Sequence, residues 1–178
     1  YFYLPVYLQQ VMVCFRVHLL IISLVFTLSE SYSQNNIDEM SSFMNLNFGS
    51  SPSQVEGSLE LALPISYGLK YYKYRSKNHR EIYGQKIDQI NLGFRDDKLE
   101  YIDIYFSKLT AADFQVIIDS LEYHFGPSVN FEAVEKGVIE AIRWQGEDTV
   151  LDFYRYGSET IDIDDKNKSV IAISRPVN

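Results

Sequence analysis

Cysteine is all but missing from this chain of 178 residues: Cys14 is the single one, so no disulfide can form within it. Stability must come from a packed core, and disulfide-stapled scaffolds are excluded. Histidine is scarce too, and beyond the first twenty residues only His79 and His124 remain. A zinc site of the Cys/His kind lacks its ligands. No glycine-rich phosphate loop and no nucleophile elbow occurs, and no cofactor is expected. Positive charge is in deficit, with 16 Lys/Arg against 24 Asp/Glu and a formal net charge of −8. Such an acidic chain is a poor generic binder of nucleic acid or of anionic membrane. Long apolar runs are also absent. The most apolar, "LLIISLVFTL" (19–28), is ten residues long, half of the roughly 20 that a spanning helix needs.

That short run has the layout of a secretory signal. Met12 is the expected start, residues 1–11 being upstream sequence; Arg16 and His18 precede the run, and Ser31 and Ser33 suit the small-residue positions before a cleavage ahead of Gln34. Cys14 precedes the run rather than following it, so no lipid anchor is expected. The protein is thus expected to be exported, to the periplasm or outside the cell, with no integral membrane segment after cleavage. Taking away Arg16 and Glu30 leaves 15 Lys/Arg against 23 Asp/Glu in some 145 residues, enough for one domain with a real core. Residues 34–43, "QNNIDEMSSF", are polar and without periodicity, and read as a flexible lead-in to a domain over 44–178.

Two helices are predicted. In "SSPSQVEGSLELALP", Ser51 can cap, Pro52 suits the first turn and Gln54 completes a capping box, with Val55, Leu59 and Ala62 on one face. In "TAADFQVIIDSLEYHFGP", Thr110 and Asp113 make the same box, and Phe114, Ile117, Ile118, Leu121 and Phe125 recur at helical spacing until Gly126 and Pro127. His124 lies at the margin of that apolar face, as a half-buried packing residue, and His79 lies among like charges in a turn.

The rest alternates as strand. Ile90, Leu92 and Phe94 precede Asp96-Asp97-Lys98, and Ile102, Ile104 and Phe106 follow it; Ile161 and Ile163 precede Asp164-Asp165-Lys166, and Ile171 and Ile173 follow it. Both read as hairpins, because Asp, Asn and Lys at a turn bond local backbone and stay solvated. As a calcium loop the second triplet fails: counted from Asp162, the sixth residue is Asn167 rather than Gly and the twelfth is Ile173 rather than Glu. A third hairpin joins "VIEAIRW" to "TVLDFYRY" through "QGED".

The order is helix, strands, turn, strand, twice over: an α+β fold with an antiparallel β-sheet, helices packed on one face, and two similar helix-plus-strands units over about 44–106 and 107–178. The runs "LNFGSSPSQVEGSL", "DFQVIIDSLEYHFGPS" and "RWQGEDTVLDF" resemble the tandem units of β-lactamase-inhibitor-like proteins. They also resemble the related small outer-membrane lipoproteins of the barrel-assembly machinery and secreted bacterial proteins of similar layout. The resemblance implies a sheet with helices on one side and a binding surface on the other. This sequence lacks both the lipoprotein cysteine and the disulfides of the inhibitor, so the layout carries over and no individual functional residue does.

With Ile102 and Ile104 turned inward, strand alternation sends Tyr101, Asp103 and Tyr105 to the free face; with Leu151 and Phe153 inward, Asp152, Tyr154 and Tyr156 join them. If Ile139 and Ala141 are inward, Glu140 and Trp144 belong there as well. Tyr, Trp and carboxylates together suit recognition of a protein or a glycan, although Tyr pairs also stabilise open sheet faces with no ligand. A second candidate is the basic and aromatic stretch 67–86. It includes Lys70, Tyr72, Lys73, Tyr74, Arg75, Lys77 and Arg80, and its local net charge is +5 against −13 for the rest of the mature chain. It could hold an acidic protein or an anionic glycan, or be a solvated hairpin that blunts a sheet edge. Catalysis would have to rest on carboxylates such as Asp103, Glu140 and Asp152, as in sugar hydrolysis. Solvated sheet carboxylates are far commoner, and the expectation is a non-catalytic binding protein with a protein partner or, alternatively, a glycan.

Overall fold

The computed structural model describes residues 37–66, 68–107, 109–133, 137–157 and 168–176. In chain order the strands are β1 (Ser42–Phe43), β2 (Leu46–Asn47), β3 (Ser58–Ser66), β4 (Leu69–Arg75), β5 (Glu81–Ile82), β6 (Gln85–Lys86), β7 (Gln89–Arg95) and β8 (Lys98–Ser107). After the helix α1 (Ala111–Phe125) come β9 (Val129–Asn130), β10 (Val138–Gln145), β11 (Val150–Tyr156) and β12 (Lys168–Ser174). Eight of them form one antiparallel sheet in the spatial order β3-β4-β7-β8-β12-β11-β10-β9. β1 with β2 and β5 with β6 make two small hairpins of their own. The architecture is α+β, with far more strand than helix.

The β7–β8 hairpin forms where the alternation places it. Ile90, Leu92 and Phe94 face the core together with Ile102, Ile104 and Phe106, all buried. Arg95 pairs with Lys98, and Asp96 and Asp97 between them both take positive φ (48° and 58°), the two-residue turn whose twist matches the strands. The "QGED" hairpin forms too: Gln145 pairs with Val150, and the Gly146 N–H donates to the Thr149 carbonyl. α1 starts at Thr110, whose hydroxyl accepts from the Asp113 N–H while the Asp113 carboxylate accepts from the Thr110 N–H. It buries Phe114, Ile117, Ile118 and Leu121 on the sheet, with Phe114 stacked on Phe153 of β11 at 4.1 Å between ring centres. None of the described helices is long and apolar enough to cross a membrane.

Three expectations are corrected. The helix expected from Ser51 amounts to one 3-10 turn, Pro52–Gln54, although the Gln54 side chain does accept from the Ser51 N–H as a capping box requires. It ends at Val55, whose backbone is already extended, Gly57 follows at φ +130°, and the chain enters β3 instead, since Leu59, Leu61 and Leu63 also fit a period of two. Pro64 is tolerated there because β3 lies at the sheet edge.

The lead-in expected at 34–43 packs into the core over its described part. Ile37, Met40 and Phe43 are core residues, and Asp38 accepts hydrogen bonds from the backbone N–H groups of Glu147, Asp148 and Thr149. Three apolar side chains in a polar run suffice to bring it down on the inner face, which α1 covers together with Leu46, Ile82 and Ile87.

Asp164-Asp165-Lys166, Ile161 and Ile163 lie outside the described residues, but Ile171 and Ile173 pair with Phe153 and Leu151 of β11 on one side and with Ile104 and Ile102 of β8 on the other. Both edges of β12 are thereby paired.

The third correction is the facing of β10. Ile142 lies opposite Phe153 and Trp144 opposite Leu151, so these two, rather than Ile139 and Ala141, point inward. A bulge between Val138 and Glu140 shifts the parity and leaves Ile139 62% exposed.

Candidate functional site

The face of the sheet away from α1 carries a shallow groove of about 390 Å³. Its floor is β12, where Val170, Ala172 and Ser174 present small or branched side chains. One wall is β8, with Tyr101, Asp103 and Tyr105, extended by Tyr71 of β4; the other is β11, with Asp152, Tyr154 and Tyr156. The register lines these residues up across the strands: Ser174 faces Tyr101, Ala172 lies between Asp152 and Asp103, and Val170 lies between Tyr154 and Tyr105. Walls two strands apart stand about 10 Å from each other. Aromatic ridges thus rise on either side of a low central strand.

Each wall is braced. Gly93 lies between Tyr71 and Tyr101 in the register, and the absence of a side chain there lets both come close: a Cβ would sit 2.9 Å from Tyr101 Cβ and 3.0 Å from Tyr71 Cε1. Burial pushes the Tyr71 hydroxyl up to about 12, with the nearby Asp103 and Tyr101 adding to the shift and Arg95 opposing it, so it stays a donor at neutral pH. On the opposite wall Asp152, only 7% exposed, is gripped by Arg143 of β10 through two bonds, Nε to Oδ1 at 2.6 Å and Nη2 to Oδ2 at 2.8 Å. The Tyr154 hydroxyl donates to the same carboxylate at 2.7 Å. Arg143 in turn lies over the Phe131 ring, 4.2 Å from its centre, and its bonds to Asp152 hold its charge firmly by raising its pKa.

Six of the eight residues placed on this face by alternation are brought together: Tyr101, Asp103, Tyr105, Asp152, Tyr154 and Tyr156. Glu140 and Trp144 are not. Trp144 belongs to the core, where its indole N–H donates to the Gly126 carbonyl at the end of α1, and Glu140 pairs with Arg155, which itself lies over the Phe114 ring on the helix side. Tyr71 and Arg143 went unnoticed in the sequence, yet a signal existed for each. Tyr71 alternates with Tyr72, and Arg143 sits between Ile142 and Trp144, a stronger inward pair than Ile139 and Ala141.

The basic and aromatic stretch does not form one patch. Tyr72 packs edge-on against Phe94 and Tyr74 is buried, whereas Lys73, Lys77 and Arg80 are exposed. Lys70 is paired with Asp97 and Arg75 with Glu60, both at the surface. The alternation of β4 divides the stretch between the two faces of the sheet. His124 is exposed in the last turn of α1, beside Tyr83 with ring centres 6.0 Å apart. Among the described residues no group of three or more His, Cys, Asp or Glu side chains is arranged to hold a metal ion. Comparison with protein-family models, with curated proteins and with solved structures finds no match for this chain.

Proposed function

We propose that this is an exported, non-catalytic binding protein that grips a segment of a protein partner in the Tyr-walled groove. The observation that carries the reading is the low floor of β12 between two aromatic ridges about 10 Å apart. Tyr rings offer large contact area with few rotatable bonds and a hydroxyl at the tip, and such rings dominate protein interfaces when they flank a depression. The carboxylates favour binding over hydrolysis. Both oxygens of Asp152 are already engaged by Arg143, and Tyr154 bonds one of them as well, which leaves the carboxylate little freedom to act on a substrate, and Glu140 lies on the other face.

The sheet order supports a further part of this reading. β3-β4-β7-β8 and β9-β10-β11-β12 are two meanders that meet at their last strands, as expected of two related units of the β-lactamase-inhibitor-like kind, the first having a 3-10 turn where the second has α1. A glycan lying across the same rings is the alternative.

The two readings separate in one experiment. The mature protein and the variants Tyr105→Ala and Tyr154→Ala are used to capture partners from an envelope extract and, in parallel, to probe a glycan array. A defined protein, bound about 30-fold or more weakly by either variant in titration calorimetry, supports the proposal. Capture unaffected by both variants overturns it, and array binding lost in both variants transfers the groove to a glycan.

A further inference from the structure

On the helix side, away from the groove, the β1–β2 hairpin, the 3-10 turn and the end of β4 enclose a second pocket of about 350 Å³. Its size falls in the range of small-molecule sites, about 300 to 1,000 Å³. Its chemistry differs from that of the groove. Asn45, Asn47, Asn78 and His79 line it, Tyr74 closes its base, and among the described residues Glu56 is the only carboxylate or Lys/Arg of the lining. Among the described residues, none of the side-chain amides of Asn45, Asn47 and Asn78 has a hydrogen-bond partner. All three side chains are exposed to solvent at the rim of one space, where a ligand that enters can meet their amides.

The neutral imidazole beside them is fixed in one tautomer. The Tyr74 hydroxyl donates to the Glu56 carbonyl at 2.7 Å, and the same oxygen lies 2.9 Å from His79 Nδ1. A phenol has one proton to give, so Nδ1 must donate to Tyr74, and in the neutral ring Nε2 is left as an acceptor. Tyr74 itself cannot turn away. It is buried, and Gly57 makes room for its ring, since a Cβ there would come within 2.7 Å of Tyr74 Cε2.

We infer that this pocket binds a neutral saccharide. Carboxamides offer a donor and an acceptor on one planar group, which matches hydroxyls that give one proton and accept others, and His79 Nε2 adds an acceptor. An anionic ligand would meet the Glu56 carboxylate with no lining cation to offset it, and an apolar ligand would leave the three amides desolvated and unpaired.

The probes are N,N′-diacetylchitobiose, cellobiose, maltose and mannobiose at millimolar concentration, followed by NMR of the His79 ring and of the Asn side-chain NH₂ groups in the mature protein. Saturable shifts at His79 and at least one of the three Asn side chains with one or more of the sugars are expected. Asn78→Ala and His79→Gln should weaken binding about tenfold each, as loss of one good hydrogen bond does. Asn45→Gly serves for Asn45, because that residue sits at φ 61° and Gly keeps the turn. Tyr123→Ala, on the exposed side of α1, should leave the affinity unchanged. Absence of shifts with all four sugars, binding indifferent to the Asn78 and His79 variants, or saturable binding of glucuronate in their place would each overturn the inference.

Discussion

A methyl group at Gly93 would stand 2.9 Å from Tyr101 Cβ, a contact that the ring cannot relieve by turning because Cβ is fixed to the strand. Gly93→Ala should therefore cost about 1 to 3 kcal/mol in urea denaturation, as overpacking does, and should part the Tyr71 and Tyr101 rings, weakening whatever the groove holds. Equal stability and equal binding would mean that β7 and β8 can spread at no cost. At Asp38 burial is the largest influence and pushes the carboxyl up, yet the backbone N–H groups of Glu147, Asp148 and Thr149 outweigh it and the net value lies below the usual one. A carboxyl depressed in the folded state adds stability that is present above its unfolded pKa, near 3.8, and is lost as pH falls through the folded value. Asp38→Asn should thus lower stability at pH 7 by about 1 to 2 kcal/mol and flatten its fall below about pH 4, measured by denaturation at both pH values. A Cβ at Gly146 would sit 2.2 Å from Asp38 Oδ1, so Gly146→Ala must expel the carboxylate, and the two substitutions combined should cost clearly less than the sum of each alone.

At the scale of elements, α1 is fastened through Phe114 stacked on Phe153 and through Ile118 beside it in the core. Phe114→Ala should destabilise by about 3 to 5 kcal/mol and Ile118→Ala by about 2 to 5, read from denaturant midpoints, and an effect of either below about 0.5 would place the helix off the sheet. This helix was fully legible in the sequence, because its cap, its periodic apolar face and its Gly-Pro stop all point to the same answer. The β7–β8 hairpin was legible for the same reason: apolar alternation and turn chemistry agree. The stretch after Ser51 carried contradictory signals. A good capping box opened it, but Gly57 followed within one turn, and the pairing of β3 with β4 outweighed the local preference. On β10 the facing hinged on a bulge that nothing at Val138–Glu140 announces, so Trp144 was assigned to the groove when it fills the core. Six of the groove residues were readable because Ile102, Ile104, Leu151 and Phe153 fix the parity of β8 and β11 beyond doubt. The second pocket was not readable, since it joins the β1–β2 hairpin to a turn some thirty residues later along the chain, and only the folded backbone brings Asn45 to His79.

For the whole molecule the decisive strand is β12, which joins the two meanders by pairing with β8 residues 61 to 73 positions earlier in the chain. Closing a loop of that length must precede any gain from the contacts it makes, so the joining step should dominate the refolding rate. A chain that stops at Gly157 keeps β8 and β11 but leaves an edge of each without its β12 partner, next to buried Ile102, Ile104, Leu151 and Phe153. Open apolar edges of this kind template pairing with other chains, so the shortened protein should be oligomeric or insoluble in size-exclusion chromatography, where a soluble monomer would show that each half folds alone. The floor of the groove and the bond between the halves are one strand. During synthesis the groove therefore comes into being only when nearly all the described chain has emerged, and no shorter intermediate presents it.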